Sequence, residues 1–563
     1  MLRLGLVLTT SLLLIGVLSA AHADPITYGA ARPPPTHQQG AGPEDELLLV
    51  WRHGDRAPTM TYPTDVHKEE QWPSGWGQLT PLGMKQQYAL GRQLFGRYIN
   101  HSHPFLSAYY SPKEMYIRST DVDRTLVSAY ANLAGMFHDG REGRDYPKMT
   151  RHPWPAAWTP IPVHTVPVDT DYIGNAFADC PRAFQLDAEI KKSPEYLKLA
   201  ADNAVRSAET GSQTRCNLQN LLAFLSNKTG MTVDLTNIYL VNDAHLIETI
   251  YNMSQPDWYT PQVDAEIRNL TSHANAFIYG IGKPYIPELI RLRGGNLLKD
   301  IVTRMSSKWL CQNATRNSAN WARNNCAFNV PLKYYAYSAH DTTVAALLTT
   351  FGDERTVIHG GLPKYTASIA VELWRLADGT PAVKILFHAA FHHQYTAITS
   401  LTKGCPQDTD FCPLSTFITR SRPFIPGSIA EECRARYHST SEKRAMMSNR
   451  SKDVSQSTYK NLDSFNGLLS SVFASTCFLA ASINMPIGRH SRQRYQAGER
   501  GRRLNFCLQV AALLNDVVVF ECGNSGLHQI LQTTNLPASF DFSPSDIARR
   551  WTMVVCLNFH TRR

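Results

Sequence analysis

Three short apolar runs, far apart in the chain, each stop abruptly on polar residues. The first, Leu47-Leu48-Leu49-Val50-Trp51, has no polar interruption and runs straight into Arg52-His53-Gly54-Asp55-Arg56. An unbroken run of this length predicts a strand buried on both faces. The second, Met115 to Ile117, ends on Arg118, and a helix is expected to begin near Ser119-Thr120-Asp121, all residue types that cap a helix N-terminus. The third, Tyr334-Tyr335-Ala336-Tyr337, ends in Ser338-Ala339-His340-Asp341, after which Val344 to Leu348 reads as an apolar helix. After the first run, Leu82, Tyr88, Ala89 and Leu90 give partial helical periodicity, with Thr80 placed to cap and Pro81 at the first helical position. Repeated strand-to-helix junctions predict an α/β fold, and open sheets of this kind bind ligands at the carboxyl ends of their strands.

The chemistry sits at those ends. In Arg52-His53-Gly54-Asp55-Arg56-Ala57-Pro58 an imidazole stands between two guanidinium groups, each able to grip two oxygens of a dianionic phosphoryl group. A glycine follows the histidine, where the chain must turn sharply off the strand end. Arg118, at another strand end, can point into the same crevice. Asp121, Asp123 and Arg124 read as helix-start charges and local ion pairs.

The heptapeptide RHGDRAP, together with QLTPLG at Gln78–Gly83, YIRST at Tyr116–Thr120 and YSAHDTT at Tyr337–Thr343, resembles the histidine acid phosphatases, a branch of the histidine phosphatase superfamily. The resemblance spans Leu47 to Cys433. It implies a large domain with a central, mostly parallel sheet flanked by helices, over residues 44–433, and a smaller, mainly helical cap inserted at about 146–301. It implies hydrolysis of phosphate monoesters at acidic pH through a phosphohistidine. His53 is then the nucleophile, Asp341 the proton donor, and Arg52, Arg56, Arg118 and His340 the phosphate-binding groups. No cofactor or metal is called for. His388, His392 and His393 read as strand residues and form no ligand spacing. Substrate preference is expected to reside in the cap. Trp72, Trp76 and Trp258 are candidates for its rim, with core packing the stronger reading for each. The alternatives are a phytase-like inositol phosphate phosphatase and, in another class, an inactive binding protein on the same fold. The presence of all six site residues speaks against the latter.

Composition places the chain in an oxidising compartment. Residues 1–23 carry one early charge, Arg3, then an apolar core from Leu4 to Leu18 and the small-residue exit Ala21-His22-Ala23, the pattern of a secretory signal peptide; 24–43 form a short lead. Six Asn-x-Ser/Thr acceptors occur, at Asn100, Asn227, Asn252, Asn269, Asn313 and Asn449. Of 11 cysteines, Cys405 and Cys412 resemble a local bridge of the family and Cys180 and Cys433 a long-range one; Cys311 and Cys326 are close enough in sequence to pair, which leaves Cys216 open. The expected location is the secretory pathway, extracellular or lysosomal.

Residues 434–563 depart from the family. They hold 17 Lys+Arg against 8 Asp+Glu, the whole of the +9 formal charge, so the first 433 residues are formally neutral and the basic balance does not imply a nucleic-acid partner. The stretch 464–488 is uncharged and is followed by Arg489, Arg492 and Arg494, which fits a membrane anchor in length and flanking charge. Its serines, Asn484 and Pro486 favour the other reading, a poorly ordered basic extension. Small phosphomonoesters are the expected partners, and the resemblance allows a homodimer.

Overall fold

The computed structural model describes residues 45–436 apart from 149–150, 152–153, 156, 205–220 and 359–360. The signal-like segment, the lead, Cys216, Asn449, the 464–488 stretch and all of the tail beyond residue 436 lie outside the described residues.

Seven strands form one mixed sheet: β1 (Glu46–Arg52), β2 (Met115–Ser119), β3 (Tyr334–Ala339), β4 (Ser368–Arg375), β5 (Pro381–His388), β6 (Thr396–Ala397) and β7 (Cys412–Pro413). Their order is β2-β3-β1-β4-β5-β6, with β7 beside β5. β1 and β2 both pair parallel to β3, whereas β4 pairs antiparallel to β1 and β5 antiparallel to β4. Three neighbouring parallel strands therefore end together, and those three carry the candidate chemistry.

The apolar run of β1 is explained by burial on both faces. Leu48 and Val50 pack with Leu297, Leu298, Ile301 and Met305 of α8 (Pro287–Gln312) and Leu347, Leu348 and Phe351 of α11 (Asp341–Phe351). Leu47, Leu49 and Trp51 pack on the other face with Leu90, Leu94 and Tyr98 of α1 (Pro81–Tyr98) and Leu133 and Met136 of α2 (Asp123–Met136). All seven residues of β1 are buried, so no polar position alternates into the run. Thr80 caps α1 by accepting a hydrogen bond from the Gly83 amide at 3.1 Å, with Pro81 at the first position, as the sequence predicts.

Two boundaries differ. β2 continues through Arg118 to Ser119, and α2 begins only at Asp123, its N-cap Val122 making no side-chain cap. Ser119 and Thr120 spend their hydroxyls elsewhere, Thr120 on Thr125 at 2.8 Å. His388 is the last residue of β5, but His392 and His393 lie beyond it in a turn, with His392 at φ 70°.

Between β2 and β3 the described chain is mainly helical: α3 (Pro181–Ile190), α4 (Pro194–Ala204), α5 (Leu221–Thr229), α6 (Ile238–Ile250), α7 (Pro261–Ile278) and α8, followed by the short α9 (Ala319–Arg323) and α10 (Cys326–Asn329). α5, α6 and α7 share an apolar cluster of their own, with Leu225, Val241 and Ile267 at its centre and Tyr62 reaching in from the loop after β1. Residue 301, drawn as a domain boundary from sequence, falls inside α8. Leu289 and Leu292 of that helix pack with α3, while Ile301 and Met305 pack against the sheet. Trp72 is buried beside Ala57 and Ile247, and Trp76 and Trp258 are partly buried against apolar neighbours.

Among the described residues three disulfides are present: Cys180–Cys433, Cys311–Cys326 and Cys405–Cys412. The first ties the start of α3 to the end of α14 (Ile429–Glu432) across 253 residues. No helix among the described residues is long and apolar enough to cross a membrane.

Candidate active site

The loop that follows β1 is held before any ligand chemistry is considered. The His53 amide donates to the Ala339 carbonyl at 3.0 Å, and Gln87 of α1 donates to the Arg52 carbonyl at 2.7 Å. The Asp55 amide donates to Gln86 at 2.8 Å, and the Asp55 carboxylate accepts from Thr80 and from Tyr251, just past the end of α6, each at 2.5 Å. Asp55 is therefore a structural member of the heptapeptide. Gly54 is needed for close approach, since a Cβ there would lie 2.2 Å from the Gly83 carbonyl oxygen. Its φ is not in the left-handed region, so the expected sharp turn is not the reason for this glycine.

His53 is 2 % exposed, and its Nδ1 lies 2.8 Å from the Gly54 carbonyl oxygen. A carbonyl only accepts, so Nδ1 carries the proton and Nε2 keeps its lone pair. Burial, then Arg52, Arg124, Arg56 and His340, push the imidazole well below its usual range, which keeps it neutral.

His340 and Asp341 come from the end of β3. The two histidine rings meet edge to face, centroids 5.7 Å apart. His340 Nε2 lies 3.0 Å from Thr120 Oγ1, and Nδ1 lies 3.5 Å from the Arg124 guanidinium. An arginine only donates, so Nδ1 accepts and Nε2 bears the hydrogen. Burial, followed by Arg124, lowers this histidine to about 3. Asp341 opens α11 and pairs with Arg52 at 3.0 Å. Burial raises its carboxyl, but Arg52 and Arg56 outweigh that and hold it below the usual carboxylate range.

Arg52 also donates to the Pro363 carbonyl at 2.6 Å and lies 4.2 Å over the Tyr365 ring. Arg56 makes a two-pronged pair with Asp243 of α6, at 2.8 and 2.9 Å. The Nε groups of Arg52, Arg56 and Arg124 are buried without a hydrogen-bond partner, three donors within one cluster of positive charge.

Arg118, expected as the third phosphate-binding arginine, is not in this cluster. It pairs with the buried Asp171 at 2.5 Å. Asp171 also accepts from the Gly174 amide at 2.8 Å, and the Gly174 carbonyl accepts from Thr343 of α11 at 2.6 Å. Arg118 thus supports the start of α11 through its neighbours. The third arginine is Arg124, in the first turn of α2. Burial, Arg56 and Arg52 lower it to about 10, the mark of a guanidinium crowded by like charges. The sequence reading that made it a local ion-pair partner is corrected by this placement. Asp123 turns away, accepting from Gln78 at 3.3 Å. Among the described residues no group of three or more His, Cys, Asp or Glu side chains could hold a metal.

Residues 45–388 match the model of the histidine phosphatase superfamily, branch 2. The bovine (Bos taurus) lysosomal acid phosphatase is 35 % identical over 389 residues, 69 % of this chain and 79 % of that one. The human prostatic acid phosphatase is 34 % identical over 390 residues, 69 % and 87 % of the two chains. Among solved structures, the phytase from Citrobacter braakii aligns over 70 % of this chain and all of its own, at 17 % identity and a TM-score of 0.47. With the match covering well over half the chain, this protein belongs to branch 2 of the histidine phosphatase superfamily.

Proposed function

We propose that the protein is an acid phosphatase that hydrolyses phosphate monoesters through a phosphohistidine. The hydrogen bond from His53 Nδ1 to the Gly54 carbonyl carries the reading, because it leaves Nε2 neutral and basic amid three guanidinium groups. Nε2 attacks phosphorus, a P–N bond forms, and the P–O bond to the leaving group breaks. The departing oxygen takes a proton from Asp341. Water then attacks the phosphohistidine, giving its proton to Asp341 and releasing inorganic phosphate and free His53. Arg52, Arg56 and Arg124 balance the charge on the equatorial oxygens as it shifts during transfer. His340, once protonated as described below, donates from Nδ1 to the phosphoryl group, and Arg118 is a positioning residue.

The acidic optimum follows from coupling between substrate and proton. In the free site the arginines hold Asp341 ionised. A bound dianionic phosphoryl group occupies those arginines and adds its own negative charge, and both effects raise Asp341 towards the range in which it can bind the proton it must donate. The same change raises His340. Substrate binding thereby takes up protons and is favoured as pH falls.

The wall around the leaving group is assigned to residues between β2 and β3, with Asp243 from α6 and Tyr251 from just past its end. A secretory route fits the family's lysosomal and prostatic names, the N-terminal apolar segment and the disulfides. Asn100, Asn227, Asn252, Asn269 and Asn313 are all exposed and are proposed as glycan acceptors. The direct assay is hydrolysis of phenyl phosphate across pH 4–8 in the presence of a chelator. Turnover rising toward acid is expected, and an inert protein or an alkaline optimum would overturn the reading.

A further inference from the structure

The helix α6 carries two carboxylates on different sides. Glu248 turns inward, 3.0 Å from His245, both side chains at most 1 % exposed. Asp243 stands five residues earlier, about 140° away around the helix. It faces Arg56 and meets it with both oxygens. Its side chain is 17 % exposed, so it is reachable from the site. The other groups of the cluster, Arg52, His53, Arg124, His340 and Asp341, come from the ends of β1 and β3 and the start of α2. Asp243 comes instead from α6, in the helical segment between β2 and β3 to which the leaving-group wall is assigned above. Tyr239, one turn before Asp243 on the same helix face, is half exposed, and Tyr365 lies against Arg52.

The charge balance decides what can bind. With both histidines neutral, Arg52, Arg56 and Arg124 stand against Asp341 and Asp243, a net of one positive charge at most, and of none when Asp55 is ionised as well. A dianionic phosphoryl group already exceeds that. A further negative charge on the leaving group would meet a carboxylate whose guanidinium partner is already engaged. A cationic leaving group would meet the same carboxylate as a partner.

We infer that Asp243 is a specificity-determining residue that sorts phosphate monoesters by the charge of the leaving group, favouring cationic and neutral ones over those bearing a carboxylate or a second phosphate. The inference rests on the acid phosphatase reading and extends it to substrate class. At the separations of one side chain, a unit charge in surroundings of intermediate dielectric changes kcat/KM by about 10- to 100-fold.

The test compares phosphocholine, glycerol phosphate and 3-phosphoglycerate, whose leaving groups are cationic, neutral and anionic, using the full chain. The wild type is expected to prefer them in that order. In Asp243→Asn the ratio of 3-phosphoglycerate to phosphocholine should rise about 10-fold or more, and inorganic phosphate should inhibit more tightly because Arg56 is released. Asp243→Glu, which keeps the charge, should keep the order. A wild type indifferent to leaving-group charge, or an unchanged ratio in Asp243→Asn, overturns the inference while leaving the phosphatase reading intact. If Asp243→Asn does not accumulate, the wild-type order and its retention in Asp243→Glu decide. A wild type that hydrolyses none of the three, nor phenyl phosphate, would instead sink the phosphatase reading.

Discussion

Arg118 reaches Asp171 at 2.5 Å, and this pair separates the arginine of the second strand from the cluster of Arg52, Arg56 and Arg124. Asp171 is 1 % exposed, so its charge depends on that partner and on the backbone amides of Ile173 and Gly174. Removing Arg118 leaves a buried carboxylate short of one charged donor, at a cost of about 3 kcal/mol in stability. Arg118→Ala should therefore unfold at lower denaturant while inorganic phosphate still inhibits within a few-fold of the wild type. Arg124→Ala should do the reverse, weakening phosphate inhibition by about 100-fold with little loss of stability. Titration of phosphate inhibition together with urea unfolding on both variants checks the assignment. Phosphate binding lost in Arg118→Ala and kept in Arg124→Ala would restore the sequence-based choice.

Asp341 is the proposed proton donor, and leaving-group chemistry tests it. An alkoxide needs the proton at departure, whereas a nitrophenolate hardly does. Asp341→Asn should slow hydrolysis of glycerol phosphate about 100-fold more than that of p-nitrophenyl phosphate. Equal slowing of both substrates would show that the residue acts on binding or position alone.

Two adjacent buried carboxyls outside the site contribute to the pH dependence of stability. Burial raises Asp353 and Glu354 to about 7 each, and Asp353 Oδ1 and Glu354 Oε2 are buried without hydrogen-bond partners, as suits protonated acids. A carboxyl whose folded value is raised contributes stability that is fully present below its unfolded value, about 4, and is lost as pH rises through its folded value. At the other end the depressed carboxyls, Asp341, Glu114 and Glu288, contribute stability that is present above their unfolded values and lost as pH falls through their folded ones. The buried imidazoles of His53, His340 and His388 act the other way, because a histidine with a depressed folded value loses stability as pH falls through its unfolded value, about 6.5. The carboxyl contribution is therefore read by difference: Asp353→Asn with Glu354→Gln should gain thermal stability relative to the wild type as pH rises from about 5 to about 8, and an equal change in both proteins would contradict this.

The part of the site that could be read from sequence is the part written in contiguous residues. β1 announces itself because both its faces are buried, and His53 and Asp341 follow where apolar runs end in charge. The covalent bridges Cys180–Cys433 and Cys405–Cys412 followed from the family resemblance, and Cys311–Cys326 from short separation. Arg118 misled because a strand-end arginine can in principle turn into the crevice, while its true partner, Asp171, lies 53 residues away and leaves no local trace. Arg124 was missed for a related reason: it reads as a helix-start charge with local partners, whereas it faces His340, 216 residues away. Asp243 was invisible because a carboxylate in a mostly apolar helix looks like an ordinary solvent-facing position. Its meaning depends on how that helix closes over Arg56, 187 residues earlier.

The neutral state of His53 makes a prediction on the acid side. Protonation of Nε2 would end its nucleophilicity, but burial and three arginines depress its proton affinity well below the usual 6.5. Activity should therefore not fall as pH drops from 6.5 to 5, and kcat/KM measured with phenyl phosphate over that interval checks it. A descending limb centred near 6.5 would mean that the imidazole titrates as an exposed one does.

The central claim is that the phosphoryl group passes through His53. Mixing the enzyme with radiolabelled aryl phosphate, quenching within milliseconds under alkaline conditions that preserve phosphohistidine, and mapping the labelled peptide tests it most directly. Label on Nε2 of His53, absent from His53→Ala, is the predicted result. Label on another residue, or no covalent label while turnover proceeds at full rate, would contradict it.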